Sequence, residues 1–210
     1  STDGSVEYVE KLFGKKIRIL KPKKWIGFAG GHNYCFKKAK GEFVMLLTND
    51  VSLPRNCLSK FLNKFRSDNR IGIVFPTLAT PKGPGFDYNY GTMIDMLGEG
   101  YKASKNNECV FTPVGSVFML RKDYFIEPYV EEIYSYDDEL TVGLRCLLRG
   151  FKICRVKNVT VLHQGTYSNA ERSKSGKTLF YTDRNGIYNI LIFYTTKTIM
   201  LLSPIFLFDL

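Results

Sequence analysis

The stretch from Phe43 to Asp50 decides the fold class. The continuous apolar run Phe43-Val-Met-Leu-Leu47 is followed at once by Thr48-Asn49-Asp50. Five apolar residues without alternation are typical of a strand that is buried on both faces, as in a parallel sheet. Ligands of open parallel sheets bind beyond the carboxyl ends of the strands. The polar residues that end this strand are therefore the first candidates for a functional site.

The elements around this strand alternate between helix and strand, which is the signature of a parallel α/β sheet. The pattern predicts helices over 1–13, 30–40, 54–66 and 138–149. It predicts strands over 17–20, 43–47, 71–75, 114–121 and 153–162, the last of which leads to His163. Residues 76–107 are rich in Gly, Pro, Asn and Tyr, and this composition predicts a long functional loop or a small hairpin.

Composition limits the class of protein. Of the 210 residues, 44% are hydrophobic and 24% are charged, a globular balance that excludes a disordered or collagen-like chain. The net charge of +10 predicts an anionic partner: nucleic acid, a lipid surface or a phosphorylated small molecule. The five cysteines form no C-x-x-C pair, which argues against a zinc cluster and predicts reduced core thiols. With no signal-peptide pattern at the start, these thiols favour the cytosol.

The last part of the chain, 187–210, is strongly apolar but is interrupted by Lys197 and Pro204. These interruptions argue against a simple membrane span. They favour an interfacial helix or the beginning of a membrane segment. We therefore divide the chain into a domain over 1–185 and an apolar C-terminal segment over 186–210, which is a candidate for membrane association.

Three polar features follow or open predicted elements, and each has a functional and a structural interpretation. Asp50 can hold a divalent cation against a diphosphate, or it can cap the next helix. The adjacent carboxylates Asp137, Asp138 and Glu139 can supply a general base, or they can simply favour a helix N-terminus. His163 can join Asp50 in a site for a manganese-like metal, or it can be a structural histidine. The residues alone leave these alternatives open.

The stretch Gly27-Phe-Ala-Gly-Gly31 precedes a predicted helix. Glycines there allow the backbone to approach a ligand at the helix N-terminus. The Gly-Lys-Ser/Thr of the P-loop is absent, however, and the spacing does not match a dinucleotide-binding motif. The sequence therefore argues against a P-loop kinase and against a dehydrogenase.

The order of these motifs resembles the family 2 glycosyltransferases of the GT-A fold, especially the rhamnosyltransferase-like branch. The matching segments are Ser1-Thr-Asp-Gly-Ser5, 27–33, 39–43, Leu47-Thr-Asn-Asp50, Gly115-Ser116, Asp137-Asp-Glu139, His163 and Asp183-Arg-Asn185. The resemblance implies an α/β, Rossmann-like GT-A fold: a mostly parallel sheet flanked by helices, with an apolar C-terminal helical segment. The first strand of the family has no counterpart here, so the resemblance also implies an N-terminally truncated chain.

The resemblance further implies roles for individual residues. Those implied to contact the nucleotide sugar are Asp3, Gly27, Asn33 and Asn49. Those implied to hold Mg or Mn are Asp50 and His163, and those on the acceptor side are Gly115, Ser116 and Asp137. The catalytic base is Asp138 or Glu139: counting back from Arg145 selects Glu139, whereas matching the paired acids selects Asp138. We prefer Asp138, because an Asp in the second acidic place of Tyr136-Asp-Asp138 is the simplest match.

The activity that the resemblance implies is an inverting sugar transfer. A nucleotide diphosphate sugar would donate to a hydroxyl of a glycan or lipid-linked acceptor, in cell envelope polysaccharide biosynthesis at the inner face of the cell membrane. Thr48 stands where the family has an acidic residue, which keeps open the alternative of a non-catalytic module that binds a nucleotide sugar or a partner protein. We expect no nucleic-acid partner, because no known recognition motif is present.

Overall fold

The computed structural model describes residues 3–95, 98, 100–133, 138–164 and 176–208. Its strands are β1 (Phe43–Leu47), β2 (Val51–Ser52), β3 (Ile71–Lys82), β4 (Gly85–Asn89), β5 (Thr92–Ile94), β6 (Gly100–Lys102), β7 (Val117–Arg121) and β8 (Lys152–His163). Its α-helices are α1 (Ser5–Phe13), α2 (Gly27–Lys38), α3 (Cys57–Ser67), α4 (Asp138–Leu148), α5 (Gly176–Phe193) and α6 (Thr196–Phe208). Short 3₁₀ turns cover Gly14–Lys16, Lys122–Tyr124 and Glu131–Ile133.

The main sheet has the strand order β1-β7-β3-β8-β2, and β4 pairs with β3. Strand β3 is the centre of the sheet, since its first nine residues are all buried. The apolar sequence of β7 is buried over four of its five residues. Helix α3 packs one stripe of side chains onto the core, because Cys57, Phe61 and Phe65 recur every four residues and are buried. The predicted α/β class is confirmed.

The predicted mostly parallel sheet is wrong. Among the described strands, only the β3–β8 pairing is parallel, and the other pairings are antiparallel. Strands β1 and β3 do point the same way, as a helical crossover requires, but β7 lies between them and runs in the opposite direction. Helix–strand alternation indicates that β1 and β3 point the same way, but it does not reveal that another strand lies between them. The sheet is therefore mixed, although the alternation favours a parallel one.

Two segments of the chain also differ in detail from the predicted elements. Residues 17–20 form no strand, because this short segment has no buried residue and no partner strand among the described residues. The interval 76–107 contains two hairpins: β3 continues past Pro76 to pair with β4, and β5 pairs with β6. Gly83 lies in the β3–β4 turn with a φ of 56°, a conformation that glycine adopts without strain.

Helix α6 and the second part of α5 fall within the predicted segment 186–210, whereas α5 begins earlier, at Gly176. Several large apolar side chains of these two helices face outward. The exposed ones include Leu179, Phe180, Ile187, Leu191, Met200 and Leu201. Across the described part of the chain, no helix has both the length and the apolar character that a membrane crossing needs.

Candidate active site

The sheet brings the ends of four strands to one edge. The Thr48 amide donates to the Ser116 carbonyl at 3.0 Å, which extends the β1–β7 ladder and places the end of β1 beside the start of β7. Val51 on β2 is the register partner of His163 at the end of β8, and the Gln164 amide donates to the Asp50 carbonyl at 2.8 Å. The polar residues after β1 and at the end of β8 therefore meet, as their positions after apolar strands predict.

Asp50 and His163 form the first half of the site. An Asp50 carboxylate oxygen lies 3.0 Å from His163 Nε2, and the Thr48 hydroxyl donates to the other carboxylate oxygen at 2.6 Å. Burial raises the pKa of the Asp50 carboxyl, but the Thr48 hydrogen bond and the nearby His163 outweigh burial, so this pKa lies below its usual value. Asp50 is therefore an anion near neutral pH, held in place by the residue that replaces the expected acid.

The two carboxylates at the start of α4 form the second half. Asp138 is buried, with 6% of its surface exposed, and Glu139 is partly exposed. The Glu139 carboxylate lies against Gly115, so close that a β-carbon added at Gly115 would be 3.3 Å from it. Acidic residues are favoured in the first turn of a helix, which explains why they begin α4.

Tyr129 is fully buried and lies near enough to these two carboxylates for their charges to act on its phenol. Burial raises its pKa well above the usual value, and the negative charges of Asp138 and Glu139 raise it further. The phenol is therefore neutral at any physiological pH. No pattern in the sequence distinguishes Tyr129 from the other tyrosines.

Both halves line one cleft of about 440 Å³. The lining residues that the sequence identified as candidates are Gly115, Ser116, Asp138, Glu139 and His163. The remaining lining residues are Phe28, Thr48, Leu78, Thr80, Asp87, Asn89, Lys102 and Val114. Asp50 reaches this cleft through its contact with His163.

Sequence reasoning missed one wall of the cleft. Asp87 and Asn89 alternate on β4 and so share a face, and Lys102 of β6 pairs with the Asp87 carboxylate at 2.9 Å. These residues fall in the interval of mixed Gly, Pro and Tyr composition. The alternation of Asp87 and Asn89 along a strand was the available signal, but it required knowing that the interval forms a hairpin.

The predicted nucleotide contacts lie outside the lining of this cleft. Asp3 accepts a hydrogen bond from the Ser5 amide at the start of α1, and Asn49 is exposed in the turn after β1. Gly27 begins α2 with a φ of 72°, and its neighbour Phe28 does line the cleft. Asp137, which we predicted on the acceptor side, lies outside the described residues.

Asn33, the remaining predicted nucleotide contact, is fully buried and joins α2 to the segment before α4. Its amide nitrogen donates to the Tyr129 carbonyl at 3.1 Å and to Glu131 at 3.3 Å, and its oxygen accepts from the Tyr129 amide at 3.0 Å. The side chain thus fixes the backbone of this buried tyrosine.

We expect Asn33→Ala to lower the free energy of unfolding by about 2–4 kcal/mol, because it leaves the buried Tyr129 amide without its acceptor. Urea denaturation measures this change. Asn63→Ala on the exposed face of α3 is the control and should change stability by less than about 0.5 kcal/mol. A stable Asn33→Ala protein with weakened nucleotide binding would instead favour a role as a direct contact.

Two arginines bind backbone carbonyls in the segment 127–133. Arg145 donates to the carbonyls of Glu127 and Tyr129 at 3.0 and 2.8 Å. Arg184 of α5 donates to the carbonyls of Glu132 and Ile133 at 3.2 and 2.8 Å. These hydrogen bonds therefore hold the backbone of 127–133 against α4 and α5.

The donor set at Asp50 and His163 fits a divalent cation in part. A carboxylate oxygen and an imidazole nitrogen are ligands that suit Mn²⁺, and such a cation can complete its shell with phosphate oxygens and water. Among the described residues, no group of three or more His, Cys, Asp or Glu side chains could hold a metal by itself. The pair therefore suits a cation that is shared with a phosphorylated ligand.

A sequence profile of the family described as Glycosyl transferase family 2 matches residues 1–127. This match covers more than half of the 210 residues. The chain belongs to glycosyl transferase family 2. No curated protein sequence matches the chain significantly.

Solved structures extend the likeness beyond the profile. The fold is similar to that of GalNAc-T7, crystallised with UDP, GalNAc and Mn²⁺, with a TM-score of 0.71 and 14% identity over 93% of this chain and 40% of that one. It is also similar to TarS of S. aureus in complex with UDP-GlcNAc, with a TM-score of 0.61 and 14% identity over 93% of this chain and 56% of that one. At these identities the likeness is one of fold, and this family 2 chain has the GT-A-like architecture with a mixed sheet. It spans between 40% and 56% of the length of these two structures.

Proposed function

We propose that this family 2 chain is the core of an inverting glycosyltransferase that uses a nucleotide diphosphate sugar as donor. One observation carries the proposal. The Asp50–His163 pair lies at one side of a 440 Å³ cleft, and the carboxylates of Asp138 and Glu139 line the same cleft. A cation-binding pair and a proton-accepting carboxylate are the two chemical elements that displacement of a nucleoside diphosphate requires.

The nature of the donor is inferred from the similar structures. GalNAc-T7 was solved with UDP, and TarS was solved with UDP and with UDP-GlcNAc. A uridine diphosphate sugar is therefore the first donor class to test. In our proposal Gly27, Asn49 and Asp3 contact the donor, and Asn33 acts on the same region through the backbone that it holds.

The reaction is a single displacement. An acceptor hydroxyl oxygen attacks the anomeric carbon from the face opposite the diphosphate, and the bond from that carbon to the diphosphate oxygen breaks. The acceptor proton passes to a carboxylate of the protein, and the nucleoside diphosphate leaves. One carboxylate is enough for this chemistry, in contrast with the pair of carboxylates that glycoside hydrolysis uses.

Asp50 and His163 would hold a Mg²⁺ or Mn²⁺ ion. Such an ion supplies positive charge that stabilises the diphosphate as it leaves. The Thr48 hydrogen bond keeps the Asp50 carboxylate oriented and ionised, so that a negative oxygen is available to bind the cation.

We propose Glu139 as the proton acceptor, with Asp138 as the alternative. Glu139 is the more exposed of the two, and its carboxylate lies against Gly115, which we assign with Ser116 to the acceptor side. Asp138 is almost fully buried. An acceptor hydroxyl that enters the cleft therefore reaches the glutamate with less rearrangement. This assignment agrees with the count back from Arg145.

The acceptor that we propose is a glycan or a lipid-linked sugar at the cytoplasmic face of the cell membrane. The net charge of +10 favours an anionic lipid surface, and exposed apolar side chains on α5 and α6 can enter its outer layer. Flotation with vesicles of phosphatidylglycerol and of phosphatidylcholine tests this placement. Absence of the protein from both vesicle fractions would contradict it.

Thr48 favours a second candidate function, a non-catalytic module that binds a nucleotide sugar or a partner protein. This residue supplies a hydroxyl where the family resemblance expects an acid, so the site has one carboxylate fewer. Such a module would bind the donor without consuming it.

Turnover distinguishes the two candidates. The purified protein is incubated with UDP-, GDP- and dTDP-sugars, with Mn²⁺ or with a chelator, and release of the nucleoside diphosphate is measured with and without a sugar acceptor. Release from one donor that depends on metal supports the transferase. Binding of that donor by calorimetry without any release would support the non-catalytic module.

A further inference from the structure

The cysteines Cys109 and Cys154 meet outside the lining of the active-site cleft. Their sulfur atoms lie 3.0 Å apart, although the residues are 45 positions apart in the chain. Cys109 is exposed, whereas Cys154 is buried on β8. The sequence predicts scattered, reduced thiols in the core. These two thiols instead lie next to each other, and one of them is exposed.

The backbone geometry at this pair suits a covalent bond. The two residues face each other as an antiparallel bridge, with the Val110 amide donating to the Ile153 carbonyl at 3.1 Å and the Arg155 amide donating to the Glu108 carbonyl at 2.7 Å. These flanking hydrogen bonds make Cys109 and Cys154 a non-hydrogen-bonded pair, in which Cα atoms are typically about 4.5 Å apart. Disulfides span Cα separations of about 4.4–6.8 Å.

The exposure of Cys109 favours its reaction with an oxidant from solution. Lys64 forms an ion pair with Glu108 and lies near both sulfur atoms. Burial raises the pKa of the Cys154 thiol. Cys109 is therefore the thiol that meets an oxidant first, and Cys154 is the thiol that lies within reach of it.

We infer that Cys109 and Cys154 form an oxidation site that closes to a disulfide when the protein meets a hydroperoxide. The Cys109 thiolate attacks one peroxide oxygen, the O–O bond breaks, and a sulfenic acid forms with release of hydroxide. The Cys154 sulfur then displaces the hydroxyl group from the sulfenic sulfur, which forms the S–S bond. Two thiols and one hydrogen peroxide give one disulfide and two waters, and two electrons pass from sulfur to oxygen.

The bond would tie the segment between β6 and β7 to β8. That segment begins beside Lys102 and continues to Gly115 and Ser116 at the cleft, and β8 ends in His163. The oxidised protein therefore keeps two walls of the cleft in fixed relation, and the unfolded chain retains a crosslink between residues 45 positions apart, which restricts its conformations.

The test uses the purified chain, fully reduced and then treated with a small molar excess of hydrogen peroxide. After alkylation and digestion without reductant, mass spectrometry should find a peptide crosslinked between Cys109 and Cys154. The melting temperature should rise by about 10 °C and return with dithiothreitol, since a loop of this length restricts the unfolded chain. Amide hydrogen exchange over 103–112 should slow.

Two variants make the test specific. Cys109→Ser should lose the crosslink and the rise in melting temperature, while Cys35→Ser, at an exposed cysteine of α2, should keep both. The inference is overturned if peroxide converts Cys109 to a sulfinic acid with no crosslinked peptide. It is also overturned if the rise in melting temperature persists in Cys109→Ser.

Discussion

Glu139→Gln should lower kcat for sugar transfer by about 10²- to 10⁴-fold, the range that a positioned general base contributes. Glutamine has nearly the same shape as glutamate, so the contact with Gly115 persists, but its amide cannot accept the proton of the acceptor hydroxyl. Asp50 and His163, the proposed cation ligands, lie on other elements of the site. The KM for the nucleotide sugar should therefore change by only a few-fold. A loss in kcat with little change in KM identifies a group that acts in the transition state.

Steady-state kinetics with the donor identified by nucleotide release provides the measurement. Asp123→Asn removes an exposed carboxylate on the 3₁₀ turn after β7 and should leave kcat within about two-fold. Asp138→Asn separates the two candidates for the base. If Asp138→Asn loses most of the activity and Glu139→Gln keeps it, the proton goes to Asp138, as the match to the paired acids first suggested.

The sequence predicts the positions of the strands along the chain better than it predicts their neighbours and relative directions. The start of β3 is an apolar run, and its burial follows from composition. Phe43–Leu47 is also a strand, but the prediction that it is buried on both faces is wrong, because β1 lies at the edge of the sheet and only Leu46 in it is buried. The position of β7 between them depends on long-range pairing, which local periodicity does not record. The sequence predicts only the first part of β3, because Pro76 and Pro81 follow and proline normally argues against a central strand. A register shift beside Pro76 and a short partner strand, β4, accommodate them.

The candidate site was predictable where its residues follow apolar strands. Asp50 and His163 both do so, and the structure brings them together. Asp87 and Lys102 were not predictable, because they come from hairpins whose turns carry little pattern. The same limit applies to the Cys109–Cys154 pair: a separation of 45 positions carries no sign that β8 passes beside Cys109.

Asp50→Asn should abolish the metal-dependent stabilisation of the protein by its donor. A donor at about 100 times its Kd stabilises the folded state by about 2.7 kcal/mol, or roughly 5–10 °C for a domain of this size. Asparagine still accepts the hydrogen bond from Thr48, so the turn after β1 keeps its shape. It lacks the negative charge that attracts a cation. Binding of Mn²⁺ should therefore no longer strengthen binding of the nucleotide sugar.

Thermal unfolding with the donor, with Mn²⁺ and with both measures this coupling, and Asp123→Asn again serves as the control. The melting temperature of Asp50→Asn without ligands should stay close to that of the parent protein, because the carboxylate is partly exposed and its burial is modest. A full metal-dependent rise in Asp50→Asn would place the cation elsewhere in the cleft. Loss of the metal-dependent rise with retention of weak donor binding would mean that the strand ends provide the cation site, while the nucleotide is held by separate contacts.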